Sequence, residues 1–180
     1  MPKKPSQRLV VDASVARASG GADATYPTSK HCRDFLDVVR KICHQIVMSP
    51  DIAAEWDRHQ SHWARTWRVS MVARKKLCRV NPSGDTELQD RVVGVAAGDS
   101  QREAMLKDYH LIEAALATDQ CIASLDDTAR DLFARAARQV KELRGVAWVN
   151  PSLPDEQPIP WLAGGARPEK TRLLGSRPET

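Results

Sequence analysis

The stretch that most constrains the fold is the apolar run Leu9-Val10-Val11, which leads directly into Asp12. An unbroken apolar run that ends at a turn is typical of a strand buried on both faces, as in a parallel sheet. We therefore predict a strand over residues 8–13 with Asp12 at its C-terminal end. Open α/β sheets bind their ligands beyond that end. Because a carboxylate there is costly to desolvate unless a positive charge meets it, we looked for other charged groups that reach the same place.

The rest of the chain alternates strand and helix patterns. Residues 121–126 repeat the opening pattern, an apolar strand that ends in an aspartate, and residues 45–49 and 145–149 are further strand candidates. Helical periodicity predicts helices over residues 30–44, 61–79, 86–98, 101–118 and 128–140, and one that begins at Pro50 after the cap residue Ser49. Residues 16–29 are interpreted as a loop or a broken short helix. This alternation predicts an α/β fold, a three-layer α/β/α sandwich with a mostly parallel central sheet and right-handed crossovers.

Length and composition predict one globular domain. The chain has 180 residues, of which 42% are hydrophobic, enough for a core of ordinary size. We predict a flexible basic arm over residues 1–7, the domain over 8–151, and a Pro-rich C-terminal tail or surface-draped extension over 152–180, since six of the eleven prolines follow Asn150. The net charge of +4 favours an anionic partner such as nucleic acid, although many basic proteins bind none.

The chain shows no signature of export or membrane insertion. Its four cysteines lack CxxC spacing and lie in apolar patterns, which indicates buried free thiols in a reducing compartment. The basic N-terminus is not followed by an apolar segment, and no run approaches the roughly 18 apolar residues of a spanning helix. These features predict a cytoplasmic protein with no membrane partner.

Two further acids are expected at the edge where the strands end. The predicted helix rises about 15 Å from Asp108 to Thr118, and the strand that follows returns about 17 Å from Cys121 to Asp126. Asp108 should therefore lie level with Asp126, and it shares a helix face that is otherwise apolar. Glu55 reaches the same edge from the helix that begins at Pro50.

Four carboxylates in one place define a limited chemistry. They cannot all stay ionised without a counter-charge. All-oxygen ligands suit Mg²⁺ or Mn²⁺ rather than zinc. A divalent ion held by acids can activate a water and brace a phosphate oxygen. The pattern therefore predicts metal-assisted hydrolysis of a phosphodiester bond.

The order of these motifs resembles the PIN domain family over about residues 7–150. The motifs are Asp12-x-Ser14 after a strand, Glu55 in a helix, Asp108 shortly before the segment 111–117, and Ser124-x-Asp126. The resemblance implies an α/β/α sandwich and a Mg²⁺- or Mn²⁺-dependent ribonuclease, and the family includes the toxins of toxin–antitoxin pairs. It implies that Asp12, Glu55, Asp108 and Asp126 are the catalytic and metal-binding acids, and that Ser14 and Ser124 supply hydroxyl groups beside them. It implies RNA as substrate, an antitoxin or other protein as a partner, and, since family members often dimerise, a homodimer.

Simpler interpretations exist for each acid. Asp12 and Asp126 could each be the N-cap of a following helix, and Glu55 is an ordinary acid early in a helix. Asp127 follows Asp126 directly, and the Ser-x-Asp spacing favours Asp126 as the residue that faces the metal. His110 is interpreted as a partly exposed helix residue, with a phosphate or proton contact as the alternative.

A tryptophan-rich, basic stretch supports a rival function. Five cations are candidate RNA contacts or a solvated face: Arg65, Arg68, Arg74, Lys75 and Lys76. Trp56, Trp63 and Trp67 form a stripe that favours a core or a dimer seam over base stacking. The rival is a weakly active or inactive module of the same fold that binds RNA or a protein through this Trp/basic helix. An aspartate phosphohydrolase is disfavoured because Ser14 stands where a second acid is needed.

Overall fold

The computed structural model describes residues 6–178 and contains a five-stranded, all-parallel sheet between two layers of helices. This confirms the predicted three-layer α/β/α fold. The strands are Arg8–Val11 (β1), Gln45–Met48 (β2), Leu77–Arg79 (β3), Cys121–Ala123 (β4) and Ala147–Val149 (β5). Residues 1–5 of the predicted arm lie outside the described residues.

Eight α-helices are found in the described chain. They are Ala13–Ala18 (α1), Pro27–Ile42 (α2), Pro50–His59 (α3), His62–Ala73 (α4), Thr86–Val93 (α5), Asp99–Leu116 (α6), Asp127–Gln139 (α7) and Pro158–Ala163 (α8). Helix α3 begins as predicted, because the side chain of Ser49 accepts a hydrogen bond from the backbone N–H of Ile52 and Pro50 occupies the first turn. Helices α1 to α4 contact one another, as do α5 to α7, so the two groups cover opposite faces of the sheet.

The strand order is β3-β2-β1-β4-β5, which puts β1 at the centre. Leu9 of β1 is in register with Ile46 of β2 on one side and with Cys121 of β4 on the other. The chain winds outward from β1 to β3 and then returns to the opposite side at β4, so the winding reverses between β1 and β4. Ligands of open α/β sheets bind at such a reversal, beyond the carboxyl ends of the strands. Asp12 and Asp126 follow these two strands.

The tryptophan stripe is largely core. Trp56 and Trp67 are buried with their ring centroids 6.2 Å apart. The indole N–H of Trp56 donates to the carbonyl of Val11 and that of Trp67 to the carbonyl of Leu36, each at 2.9 Å. The core interpretation is thus confirmed for these two residues, while Trp63 is only partly buried. The bond from Trp56 also ties α3 to the end of β1, where Asp12 follows.

The helix predicted over residues 61–79 is wrong at its C-terminal end, because the helix in the structure is shorter. Helix α4 ends at Ala73, Lys75 adopts a left-handed backbone with φ of 56°, and residues 77–79 form the edge strand β3. Three residues are too few to establish the alternation that identifies a strand. The basic residues before β3 masked the boundary, since a cationic helix end is itself a common pattern.

The segment predicted as a tail or surface-draped extension over residues 152–180 packs against the domain in its described part. Trp161, Leu162 and Leu174 are buried, and Leu173 forms an antiparallel bridge with Ala147 that covers the outer edge of β5. These buried side chains come from α8 and from short 3₁₀ turns, and not from one long helix or strand. Periodicity therefore could not reveal that this segment belongs to the domain.

All four cysteines are free, but their burial differs. Cys32 and Cys121 are buried as predicted, and burial raises the pKa of each thiol to about 12. Cys78 is half-buried, and Cys43 is exposed at the C-cap of α2, where its φ is 67°, so the prediction of burial is wrong there. Separately, no helix among the described residues is both long and apolar enough to cross a membrane.

Candidate active site

A cavity of about 480 Å³ opens at the carboxyl edge of the sheet, between the ends of β1 and β4. All four predicted acids line it: Asp12, Glu55, Asp108 and Asp126. We call it the acidic cavity. Asp12 arrives from the end of β1, Glu55 from α3, Asp108 from the middle of α6, and Asp126 from the turn into α7. The fold therefore brings together side chains that are up to 114 positions apart in the sequence.

Asp12 is held by two hydroxyl groups. The Oγ of Ser14 donates to Oδ2 of Asp12 at 2.5 Å, and the Oγ of Ser124 donates to the same oxygen at 2.8 Å. The backbone N–H of Leu125 donates to Ser14 in turn, at 3.2 Å. Asp12 occupies the N-cap of α1, yet within residues 6–178 its side chain makes no cap hydrogen bond. The carboxylate is thus oriented by the two predicted serines and not by the helix.

Asp108 shows the electrostatic cost of the cluster. Burial, followed by the negative charges of Asp12 and Asp126, raises the pKa of its carboxyl from 3.8 to about 6. These influences mean that three of the carboxylates lie close enough to oppose one another's ionisation. A cation in the acidic cavity would relieve this opposition.

The neighbouring acids Asp126 and Asp127 point to different places. Asp126 lines the acidic cavity, and its Oδ1 also caps α7 by accepting from the backbone N–H of Ala129 at 2.8 Å. Asp127 turns elsewhere, since its Oδ2 accepts from the side-chain amide of Asn150 at 3.0 Å and its Oδ1 lies 3.8 Å from Arg130. Asp126 therefore both caps a helix and faces the acidic cavity.

Glu55 has a partner that the sequence did not indicate. Its Oε2 lies 3.1 Å from Nε2 of His110, and Nδ1 of the same ring lies 3.0 Å from the carbonyl oxygen of Lys107. Both neighbours are hydrogen-bond acceptors, and the imidazole ring lies between them. His110 is thus a partly exposed helix residue, as predicted, and it also tethers Glu55.

The acids match a hard cation in donor type and location. Carboxylate oxygens around an open cavity are what Mg²⁺ and Mn²⁺ prefer. Within residues 6–178, however, no three His, Cys, Asp or Glu side chains already form a group that could hold a metal ion. The carboxylates contact local donors, namely the two serines, the α7 backbone and His110.

The rim of the acidic cavity is basic, which the sequence analysis missed. Arg17, His59 and Lys107 line it, and all three are exposed. Arg17 lies five positions after Asp12 on α1, and Lys107 directly precedes Asp108. In the sequence, their closeness to these acids was the one feature that could have indicated a basic rim. Asp12, Glu55 and Asp108 are half-buried and form a negative floor, whereas Asp126 is exposed like the three basic side chains of the rim.

The predicted RNA contacts lie elsewhere. The carbonyl of Lys76 accepts a hydrogen bond from the backbone N–H of Ile46 at the start of β2, so residues 74–76 lie at the opposite edge of the sheet. Arg68 pairs with Asp57 at 2.7 Å, with its guanidinium 5.9 Å from the Trp56 ring centroid. None of the five predicted cations lines the acidic cavity. Base stacking by Trp56 or Trp67 is excluded by their burial.

Fold and site together define a class of protein. It is a parallel α/β/α protein whose acidic cavity lies where the winding of the sheet reverses, with cations around the opening. Comparison with protein-family models, with curated proteins and with solved structures finds no match. Function is therefore argued from the residues themselves.

Proposed function

We propose that this protein is a Mg²⁺- or Mn²⁺-dependent endoribonuclease of the PIN type, which hydrolyses RNA phosphodiester bonds. The observation that carries the proposal is the convergence of Asp12, Glu55, Asp108 and Asp126 on one cavity with Arg17 and Lys107 at its rim. A negative floor suits a divalent cation, and a positive rim suits the phosphate backbone.

The acidic and the basic side chains of the cavity have different roles. The four acids would hold the ion, with Glu55 moving from His110 to reach it. When bound, the ion supplies an activated water and neutralises charge on a phosphate oxygen. Ser14 and Ser124 keep Asp12 oriented. The two rim cations bind the phosphates on either side of the bond to be cleaved.

Substitution of the acids tests this assignment. Asp12→Asn and Asp108→Asn should each reduce Mn²⁺-dependent cleavage of single-stranded RNA by about 100-fold or more, as expected when a group needed in the transition state is lost. Asp90→Asn, at an exposed acid of α5, is the matched control and should cleave like the wild type. Full cleavage by both cavity variants would show that the catalytic assignment is wrong.

A binding module of the same fold is the second candidate. It is favoured by the engagement of Asp126 as a helix cap and of Glu55 by His110, because both carboxylates already have partners within the protein. The burial of Trp56 and Trp67 counts against a Trp/basic helix as its binding surface. Calorimetry with Mn²⁺ separates the candidates, because a module of this kind retains RNA affinity while it shows neither metal binding nor cleavage.

The remaining expectations rest on the resemblance or on composition. An antitoxin, a homodimer and a cytoplasmic location stay predictions. Light scattering of the purified chain, alone and with a candidate partner, tests the first two.

A further inference from the structure

A second cavity of about 290 Å³ adjoins the acidic cavity. We call it the side cavity. Glu55 and Lys107 line both cavities, so the two share a wall formed by α3 and α6. The Glu55–His110 contact ties the two helices together at this wall. An RNA strand with one phosphate in the acidic cavity would therefore place an adjacent nucleotide at the side cavity.

The lining of the side cavity combines acceptors, cations and an apolar wall. Its remaining members are Asp51, Ala54, Arg58, Gln89, Leu106, Tyr109, His110 and Glu113. Burial raises the pKa of Glu113, and the charge of Asp51 raises it further, so two carboxylates act on the same space. Leu106 is 42% exposed and provides an apolar surface for a planar ring.

Tyr109 gives independent support for a polar ligand. The residue is 2% exposed, and its hydroxyl has no hydrogen-bond partner within the described chain. Buried hydroxyls are nearly always paired in folded proteins. A tyrosine hydroxyl can donate a hydrogen bond to such a ligand.

We propose that the side cavity selects guanine in the nucleotide next to the cleaved phosphodiester bond, an inference that rests on the proposed function. Guanine presents two adjacent donors, N1–H and the 2-amino group, which match the two oxygens of one carboxylate. Glu113 supplies that carboxylate, and Arg58 reaches the O6 acceptor. Adenine and cytosine each offer a single amino donor on that edge, and uracil a single imino donor.

Binding of short RNAs without metal tests the selection directly. The probes are labelled single-stranded hexamers that are identical except at one position, which holds guanosine, inosine or adenosine, and EDTA prevents cleavage. The guanosine probe should bind about tenfold more tightly than the adenosine probe, the usual effect of one good bidentate base contact. Inosine lacks the 2-amino group and should fall between them.

Variants assign the selection to Glu113. Glu113→Gln should abolish the difference between guanosine and adenosine, and Asp51→Asn should reduce it. Glu103→Gln, at an exposed glutamate of the same helix α6 that lies outside both cavities, should retain it. Equal binding of the three probes by the wild type, or a guanosine preference that survives Glu113→Gln, would overturn the inference.

These experiments distinguish failure of the nuclease proposal from failure of the guanine-selection proposal. Mn²⁺-dependent cleavage without base preference would sustain the nuclease and reject the guanine pocket. A guanosine preference in binding, removed by Glu113→Gln and accompanied by no cleavage, would sustain the pocket and reject the nuclease.

Discussion

The carboxyl group of Asp108 connects folding and chemistry at the scale of a single residue. It lies in the middle of α6, part-buried beside two other acids, and its pKa is raised to about 6. A buried acid with a raised pKa destabilises the folded state at any pH at which it must ionise. The arrangement that would bind a cation is therefore a cost to the metal-free protein.

Asp108→Asn should stabilise the metal-free protein at pH 7. The folded pKa of about 6 lies above the ordinary 3.8, so the folded state of the wild type binds the proton more tightly than the unfolded state. Wild-type stability therefore falls as pH rises from about 4 to about 6 and stays low above that. The variant should gain about 2 kcal/mol in free energy of unfolding at pH 7, and this gain should vanish near pH 4.

Urea denaturation in EDTA at several pH values measures this gain. Asp90→Asn is the control, since this exposed acid of α5 lies outside the acidic cavity. A gain that is the same at pH 4 and pH 7 would contradict the assigned cause.

At the scale of elements, α4 acts as a structural helix and not as a reader of RNA. Trp67 is buried and donates its indole N–H to the carbonyl of Leu36 in α2. Trp67→Phe should lower the free energy of unfolding by about 1–2 kcal/mol through the lost hydrogen bond and packing. Its affinity for single-stranded RNA, measured by fluorescence anisotropy, should equal that of the wild type. A marked loss of affinity in a folded variant would restore the base-stacking interpretation.

The C-terminal segment is held by a buried ion pair. Arg130 of α7 is 3% exposed, and its guanidinium contacts the carboxylate of Glu156 and the carbonyl of Trp148. Glu156 also accepts from the backbone N–H of Asn150 at 3.0 Å. This acid therefore links α7, the end of β5 and the segment that follows.

Glu156→Gln should destabilise the protein because it leaves the buried guanidinium of Arg130 with only the more distant carboxylate of Asp127, at 3.8 Å, as a counter-charge. We expect a loss of about 2 kcal/mol in free energy of unfolding. Asp155→Asn, at the exposed neighbouring acid, should cost less than about 0.5 kcal/mol. Thermal and urea denaturation compare the two variants. Equal losses would show that the ion pair does not hold the segment.

For the whole molecule, the location of positive charge matters more than its sum. The net charge of +4 favours an anionic partner, and the dense basic stretch predicts candidate RNA contacts within residues 65–76. The fold puts residues 74–76 at the amino edge of the sheet, and it puts Arg17 and Lys107 at the carboxyl edge beside the acids. The two edges should contribute differently to RNA binding.

Two double variants compare the edges. Arg17→Ala with Lys107→Ala should weaken RNA binding and reduce the slope of log affinity against log salt by about 1 to 2, since each lost phosphate contact reduces it by about 0.7 to 1. Arg74→Ala with Lys75→Ala removes the same charge from the opposite edge and should leave the slope unchanged. Anisotropy titrations over a range of salt concentrations measure both. Equal slopes for the two variants would locate the RNA elsewhere.

Much of the fold was accessible from local pattern. The apolar runs of β1 and β2, the cap and proline at the start of α3, and the apolar face of α7 identify elements whose cause lies within a few neighbouring residues. Strand β3 and the C-terminal segment were missed because their order depends on contacts with distant parts of the chain.

Matched lengths and the parallel sheet also allowed the sequence by itself to determine that Asp12, Asp108 and Asp126 meet at one edge. Only the tertiary structure decided which side-chain partner each acid of the site contacts. That Glu55 contacts His110, and that Asp127 turns to Asn150, depends on the packing of helices that are far apart in the sequence. Strand ends fix where a backbone arrives, but side-chain direction is set by the partner that packing provides.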